Sequence, residues 1–435
     1  MQIKLRELSK DELIEIILEK NKRIEELEKN LKKYKNPNTP SSSNKHIKAS
    51  TQGLRAKLGA KRGAPKNHNG NTLILPKAEI IIPVYATNCS VCYGVNIRPT
   101  GYIKKKKVIC RQEAKTYVKE YQQVEYVCLN DNTLFLAYHK DIPEAGIYDK
   151  NIQSLVNYYK FKARLPHNLV VDVMNNIHNV PMTEPTSLAI TRRVSKKLEP
   201  EYQKLEEDIK TLNVVNGDET SHSVNGVNHW IWVFCNSLMS LFKFNKERGG
   251  DIIEKTLGDY FEGVLVVDGW RTYKTYSESH TKVLLQRCWS HGIREVKFEC
   301  EKKHLKLYNW YCDIYEMAKK GKAYKQKKRR HDMSEKCKTE LGRWITCAKA
   351  HRNLRKLATK IENGGDDWFT AILHPEATLN NNEAERSLRP FVIMRKIIGA
   401  LRSESGVKTH EVMMSLISTW GKQQKNVFYT LQTSL

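Results

Sequence analysis

The chain has 435 residues and carries 74 Lys and Arg against 48 Asp and Glu, a net charge of +26. With 40% hydrophobic and 28% charged residues it is too apolar for wholesale disorder and too polar for a membrane bundle, and no run of 18 apolar residues occurs. Alternating charges in the first ten residues argue against a secretory signal, so a cytoplasmic protein is expected, with no membrane partner. Ten cysteines with one close pair suggest free thiols and a metal rather than a disulfide framework. Such a positive surface suits a polyanion, nucleic acid foremost; a merely basic or ribosome-associated protein is the plainer alternative.

In chain order, Ser9 and Glu12 have capping-box spacing. Leu13, Ile17, Lys20, Ile24, Leu27, Leu31 and Tyr34 then follow at alternating steps of four and three, a heptad seam broken only by Lys20. A lone helix of this length is marginal in water, so residues 1–35 are expected to form a coiled coil that makes the chain a homodimer or higher oligomer. The alternative is an amphipathic helix docked on its own domain. Asn36-Pro37-Asn38-Thr39-Pro40 ends the helix. From Lys35 to Gly70 there are eight Lys and Arg and no acid, which makes 36–75 a basic disordered linker able to neutralise phosphates or simply to stay solvated.

Residues 76–144 form a cysteine-containing module. Cys89-Ser90-Val91-Cys92 follows the β-like run Ile80 to Tyr85, and a CxxC lets two thiolates share one tetrahedral Zn²⁺. Its second half is irregular: Cys110 and Cys128 are single, and Asp131 stands three residues after Cys128. A set of Cys89, Cys92, Cys128 and Asp131, or one using Cys110, can hold zinc; buried free cysteines are the alternative. Lys104 to Lys107 add a basic run. Residues 145–210 read as helical, with periodic segments near Pro166 to His178 and Thr186 to Leu198, split by Asn179-Val180-Pro181-Met182. That is helix-turn-helix spacing, which puts Arg192 and Arg193 on a helix able to touch DNA; an ordinary helical pair fits equally.

From Asn213 the period changes to strands. Val214-Val215 lead into Gly217-Asp218-Glu219-Thr220, Asn225-Gly226 is a hairpin dipeptide, and His229 to Phe234 is the return strand. Asp218 is thus expected at a strand end opening a hairpin. After a helical stretch from Asp251 to Tyr260, Gly263 to Gly269 is a continuous apolar strand, doubly covered, ending in Asp268. Carboxylates at neighbouring strand ends invite Mg²⁺ or Mn²⁺, the hard cations that bind phosphate oxygens.

In Asn380-Asn381-Asn382-Glu383-Ala384-Glu385-Arg386-Ser387-Leu388-Arg389-Pro390, Asn382 can cap a helix. Glu383 and Glu385 point to nearly opposite faces, so only one can join a cluster. Arg386 and Arg389 share a face as a phosphate clamp, and Arg395, Lys396 and Arg402 extend the strip. Residues 301–360 hold 19 Lys and Arg against six acids, half the net charge. Apolar residues such as Tyr311, Ile314, Trp344 and Leu354 interleave at helical spacings. A basic helical insertion at about 297–365 is expected, with Lys322 to Arg330, including Lys327, Lys328, Arg329 and Arg330, as an exposed loop on the DNA backbone. No Ser/His/Asp arrangement and no phosphate-cradling glycine loop is present.

The order Asp-Glu-Thr, strand-Asp-Gly, Asn-Asn-x-Ala-Glu-Arg-x-Leu-Arg-Pro and Arg-Lys resembles the DDE transposases of the insertion sequence 66 family. Cys288-Trp289-Ser290-His291-Gly292-Ile293-Arg294, the zipper, and Gly59-Ala60-Lys61-Arg62-Gly63-Ala64-Pro65 resemble it too, so the likeness runs from about residue 10 to about 410. The resemblance implies a multidomain α/β protein with an RNase H-like catalytic core over 211–410; beyond it, residues 411–435 are expected to form a helical tail. It implies Asp218, Asp268 and Glu385 as the metal-binding triad, and selects Glu385 over Glu383. It implies metal-dependent cleavage at insertion-sequence ends and strand transfer into target double-stranded DNA, with Mg²⁺ or Mn²⁺ as cofactor, nucleoid association when bound, and accessory proteins encoded by the element. The family's zinc module has four cysteines; here the second pair is irregular. The competing readings are a non-catalytic DNA-binding protein derived from a transposase and an RNase H-like nuclease that cuts without joining.

Overall fold

The computed structural model describes residues 141–300 and 303–435 without other breaks, together with 116–127, 134–136, 139, and 14, 17–21, 23–24 and 95. The chain divides into two units, 45–115 and the remainder; only the remainder is described below. Cys89, Cys92, Cys110, Cys128 and Asp131, the basic linker and most of the heptad seam lie outside the described residues. Of that seam, Ile17 and Ile24 sit in helical turns, and both are exposed. Glu125–Val127 (β1) pairs antiparallel with Leu134–Leu136 (β2). The six described cysteines are all unpaired, and among the described residues no helix is long and apolar enough to cross a membrane.

The centre is a five-stranded mixed sheet. Val214–Val224 (β3), Val227–Cys235 (β4) and Ser240–Asn245 (β5) form an antiparallel meander, and Val264–Val267 (β6) and Leu284–Arg287 (β7) add in parallel, giving the order β5-β4-β3-β6-β7. The β3–β4 turn is Asn225-Gly226, both at positive φ (49° and 79°), the conformation that a two-residue hairpin requires. All four residues of β6 are buried, as a strand covered on both faces must be.

Helices cover both faces. Ahead of the sheet come Lys150–Asn157 (α1), His167–Ile177 (α2), Glu184–Lys197 (α3) and Glu199–Lys210 (α4). Asp251–Leu257 (α5) and Arg271–Ser279 (α6) flank β6 in sequence, and Trp289–Cys300 (α7) follows β7. Then come Leu305–Ala323 (α8), Lys327–Ala350 (α9), Arg355–Glu362 (α10) and Thr370–Leu373 (α11). Asn382–Ile398 (α12), Glu404–Lys422 (α13) and Val427–Ser434 (α14) complete the chain.

Strand alternation divides the interior into two main cores. Leu265 and Val267 face a large one that also takes in Val170, Ile190, Tyr202, Phe391, Trp420 and Leu431, so segments 145–210 and 411–435 meet on the sheet rather than standing apart from it. Val264 and Val266 face the second core, built by α7 to α11 around Trp289, Tyr311, Trp344 and Trp368. Gly292 lies on α7 directly against this core. A Cβ there would come within 2.5 Å of the Tyr311 hydroxyl and 2.9 Å of the Trp368 ring, so only glycine fits without movement.

The insertion departs from its sequence reading at one place. Lys327, Lys328, Arg329 and Arg330 are the first turn of α9 and not a loop. Lys and Arg are good helix formers, and neither Gly nor Pro interrupts them. Lys327, Lys328 and Arg329 are exposed, whereas Arg330 donates to the carbonyls of Tyr324 and Lys325 (3.0 and 2.9 Å) at the end of α8. Lys322 donates to the carbonyls of Pro375 and Ala377, which removes it from the basic surface.

Candidate active site

Parallel pairing sets the first two carboxylates level. Val214, Val215 and Asn216 of β3 pair with Val264, Leu265 and Val266 of β6; two residues further along each strand stand Asp218 and Asp268. Asp218 lies within β3 and not at a strand end, because antiparallel pairing with β4 continues to Val224 while β6 stops at Val267. It therefore sits just past the end of the parallel pairing, where the β3–β6 seam opens. Asp268 follows β6, and one of its oxygens accepts the Trp270 N–H at 2.9 Å, which fixes the turn into α6.

Glu385 comes from the first turn of α12. Its carboxylate accepts Arg294 at 2.9 Å and lies 3.6 Å from His291 Nδ1, both side chains reaching over from α7. Glu383 points away, paired with Arg386 (2.7 Å) and Lys422 (3.0 Å), which hold its carboxyl below its ordinary value although burial opposes them.

Electrostatics connect the three carboxylates. Burial first, then the charges of Glu219 and Asp268 and more weakly Glu385, hold the Asp218 carboxyl well above its ordinary range, against the one N–H it accepts from Glu219. No cation among the described residues pairs with Asp218. Burial and the Arg294 guanidinium hold the His291 ring below its ordinary value, against the pull of Glu385 and Asp268. The only three His, Cys, Asp or Glu ligand atoms within 4.8 Å of one another among the described residues belong to Glu254, Asp259 and His280. There the imidazole pairs with two exposed carboxylates, at 3.0 Å from Asp259 and 3.4 Å from Glu254. Asp218, Asp268 and Glu385 are more loosely grouped. Their donor set is nevertheless one that a hard divalent cation fits: three carboxylate groups, with Asp218 raised by burial and by the charges of its neighbours, a strain that a cation would relieve.

The next residue along β3 contrasts with Asp218. Glu219 turns to the other face of the sheet, its side chain 1% exposed, and binds Arg248 through Nε (2.9 Å) and a second guanidinium nitrogen (2.5 Å). Tyr273 donates to its other oxygen at 2.9 Å. The Arg248 guanidinium lies between Trp230 and Trp270, 4.7 and 3.8 Å from the ring centroids.

The remaining basic candidates separate. Arg389 and Lys396 are exposed. Arg386 pairs with Glu383 and Arg395 binds the Ser221 carbonyl on β3, so the first is partly neutralised and the second is a strut. Arg192 is exposed on α3, while Arg193 lines a shallow hollow with Tyr148 and Pro185. Asn382 is the first helical residue and not the cap; Asn381 holds the cap position, but its side chain makes no cap bond. Sequence reasoning assigned no role to His291, Arg294, Asn380 or Asn381. The Cys288-to-Arg294 stretch carried the signal for the first two, without a local rule to interpret it.

Residues 145–409, more than half of the chain, match the family model described as the transposase IS66 family. No curated protein matches the chain.

Proposed function

Because the chain belongs to the transposase IS66 family, whose work is DNA transposition, we propose that it cleaves DNA at the ends of an insertion sequence and joins those ends to target DNA, using Asp218, Asp268 and Glu385 as its catalytic carboxylates. The observation that carries this reading is three carboxylates from two strands and a helix, two of which act electrostatically on Asp218, with no cation among the described residues pairing with Asp218. The β5-β4-β3-β6-β7 order, three antiparallel strands extended by two parallel ones, is the arrangement expected of an RNase H-like core and supports the same reading.

Asp218, within β3 where its pairing with β6 ends, and Asp268, just past β6, would hold Mg²⁺ or Mn²⁺, with Glu385 completing the set. Such ions supply an activated water or 3′-hydroxyl and stabilise the departing oxygen at phosphorus. The chain's own residues prepare the ground. The β3–β6 register sets the two aspartates level, the Trp270 N–H orients Asp268, and Arg294 holds Glu385. Exposed Lys327, Lys328, Arg329, Arg389, Lys396 and Arg192 would contact phosphates. The exposed Ile17 and Ile24 support self-association through the N-terminal helix. Zinc held by Cys89, Cys92 and Cys128, and partnership with accessory proteins, belong to the same proposal.

The test is cleavage and strand transfer on labelled duplexes carrying the element's ends, with Mg²⁺ or Mn²⁺. Asp218→Asn, Asp268→Asn and Glu385→Gln should each lower both steps by roughly 1,000-fold or more while DNA binding persists. Full activity in any of the three removes that residue from the mechanism. Cutting without joining by the wild type would reduce the protein to a nuclease.

A further inference from the structure

We infer that Asn381 is a positioning residue whose side-chain amide sets the helix carrying Glu385 against the strand carrying Asp218; the inference rests on the assignment of those carboxylates above. Asn381 is completely buried. Its Nδ2 donates to the Gly217 carbonyl at 2.6 Å, and its Oδ1 accepts Asn216 Nδ2 at 3.0 Å. Both partners lie on β3 immediately before Asp218. The Asn381 backbone carbonyl accepts the Glu385 N–H at 3.2 Å, and its own N–H meets Cys288 Sγ at 3.1 Å. One residue thus touches the strand of the first carboxylate, the first turn of the helix of the third, and the segment that follows β7.

Asn381 does this instead of its local task. At the cap position an Asn side chain ordinarily accepts a helix N–H, a contribution of about 1 kcal/mol. Here that bond is absent and the amide is turned to the strand. The chemistry selects asparagine, which offers a donor and an acceptor side by side. Aspartate would set an oxygen against the Gly217 carbonyl, and leucine would leave two buried polar groups without partners. The neighbouring residues reinforce the junction. Asn380 Oδ1 accepts the Ser290 N–H and hydroxyl (3.0 and 2.8 Å), Asn380 Nδ2 donates to the Tyr315 hydroxyl (2.7 Å), and the Leu379 carbonyl accepts the Trp289 N–H (3.0 Å). Residues 379–381 are therefore a clasp between sheet, α7 and α12, and Asn381 is the member that reaches β3.

The experiment compares Asn381→Ala, Asn216→Ala, the double variant and Asp218→Asn in the full-length protein. It reads Mn²⁺ binding by electron paramagnetic resonance, cleavage of labelled element-end duplexes, and thermal melting. Asn381→Ala should weaken Mn²⁺ binding about 10-fold and slow cleavage by roughly 100-fold, the order expected from misplacing a catalytic group by about 1 Å, with DNA binding retained. Excess Mn²⁺ should restore part of the rate. Asn216→Ala, which keeps the Gly217 bond, should move both readouts in the same direction by less, and the double variant should be no worse than Asn381→Ala alone. If Asn381→Ala fails to fold, Asn216→Ala carries the test. A lowered melting temperature with unchanged Mn²⁺ affinity and unchanged rate per folded molecule overturns the inference, leaving Asn381 a structural residue. Should Asp218→Asn bind Mn²⁺ and cleave as the wild type does, the carboxylate assignment itself falls. Loss in Asp218→Asn beside wild-type behaviour in both asparagine variants sinks the positioning role alone.

Discussion

At residues 218 and 219 strand β3 turns one carboxylate to each face of the sheet, and the two faces treat them differently. Glu219 has a counter-ion built in: Arg248, bonded twice and stacked between two tryptophans, with the Tyr273 hydroxyl on the other oxygen. Asp218 has one backbone N–H and, around it, further anions. Burial and Asp268 raise the Glu219 carboxyl, but Arg248 and Tyr273 oppose the shift; nothing comparable offsets it at Asp218. A buried charge that is fully paired belongs to the architecture, while one left strained and unpaired marks a place where something else is to bind. On the function proposed above, adjacent residues of the same chemistry take different parts, Glu219 in the architecture and Asp218 in the site.

The largest test of this contrast is Arg248→Met. Leaving Glu219 buried without its cation should cost about 3–5 kcal/mol, seen as a fall of about 10 °C in melting temperature. An unchanged melting temperature would mean that Glu219 needs no partner and that the two faces do not differ as described. Asp218→Asn should do the opposite in metal-free protein. It keeps the acceptor for the Glu219 N–H, removes one repelling charge, and should raise the melting temperature by a few degrees, at about 2–4 °C per kcal/mol. A fall would show that the cluster is not under charge strain.

The pH dependence sharpens the same comparison. Asp218's carboxyl is raised in the folded state, so the folded protein binds more protons than the unfolded chain at pH values between the two carboxyl pKa values. The penalty is full above the raised value, and is relieved as pH falls through it towards the ordinary carboxyl range. His410 acts with the opposite sign. Burial pushes its ring down to about 3, so the unfolded chain takes up a proton first and stability is lost as pH falls below 6.5. His410→Phe should flatten the acid side of the melting curve by up to about 1.4 kcal/mol per pH unit. Glu219, Asp367 and Glu411 are raised in the same direction as Asp218, so Asp218→Asn should remove only its own share of the opposite drift. If His410→Phe leaves the profile unchanged between pH 6.5 and 4, His410 is not the source of acid sensitivity.

The smallest effect is expected on the basic helix. Alanine at Lys327, Lys328 or Arg329 should weaken binding to any duplex alike and lower the salt slope by about 0.9 for each phosphate contact removed. An unchanged slope would make that turn a solvated face.

Several elements were legible because their signals are local. The Asn225-Gly226 turn, the apolar β6, and helices α2 and α3 lie where dipeptide chemistry and periodicity put them, since turn geometry and side-chain alternation act over a few residues. The opposed directions of Glu383 and Glu385 also follow from helical spacing alone. Where the reading departed from the structure, distant partners had intervened. Asp218 is mid-strand because β4 pairs past it, Arg395 is bound by Ser221 of β3, and Arg330 serves the end of α8.

By itself, the sequence determined the β3–β4 hairpin, the apolar β6, helices α2 and α3, the charge that calls for a polyanion, and the three carboxylate candidates with their motifs. Only the tertiary structure decided that Glu219 is balanced and Asp218 is not, that Arg294 and His291 reach Glu385, and that Asn381 is diverted from its cap to the strand. The reason is distance along the chain. Arg294 is 91 residues from Glu385 and Asn381 is 165 from Asn216, and local propensity, which favours turns and helices one segment at a time, carries no information about which side chains packing will bring together.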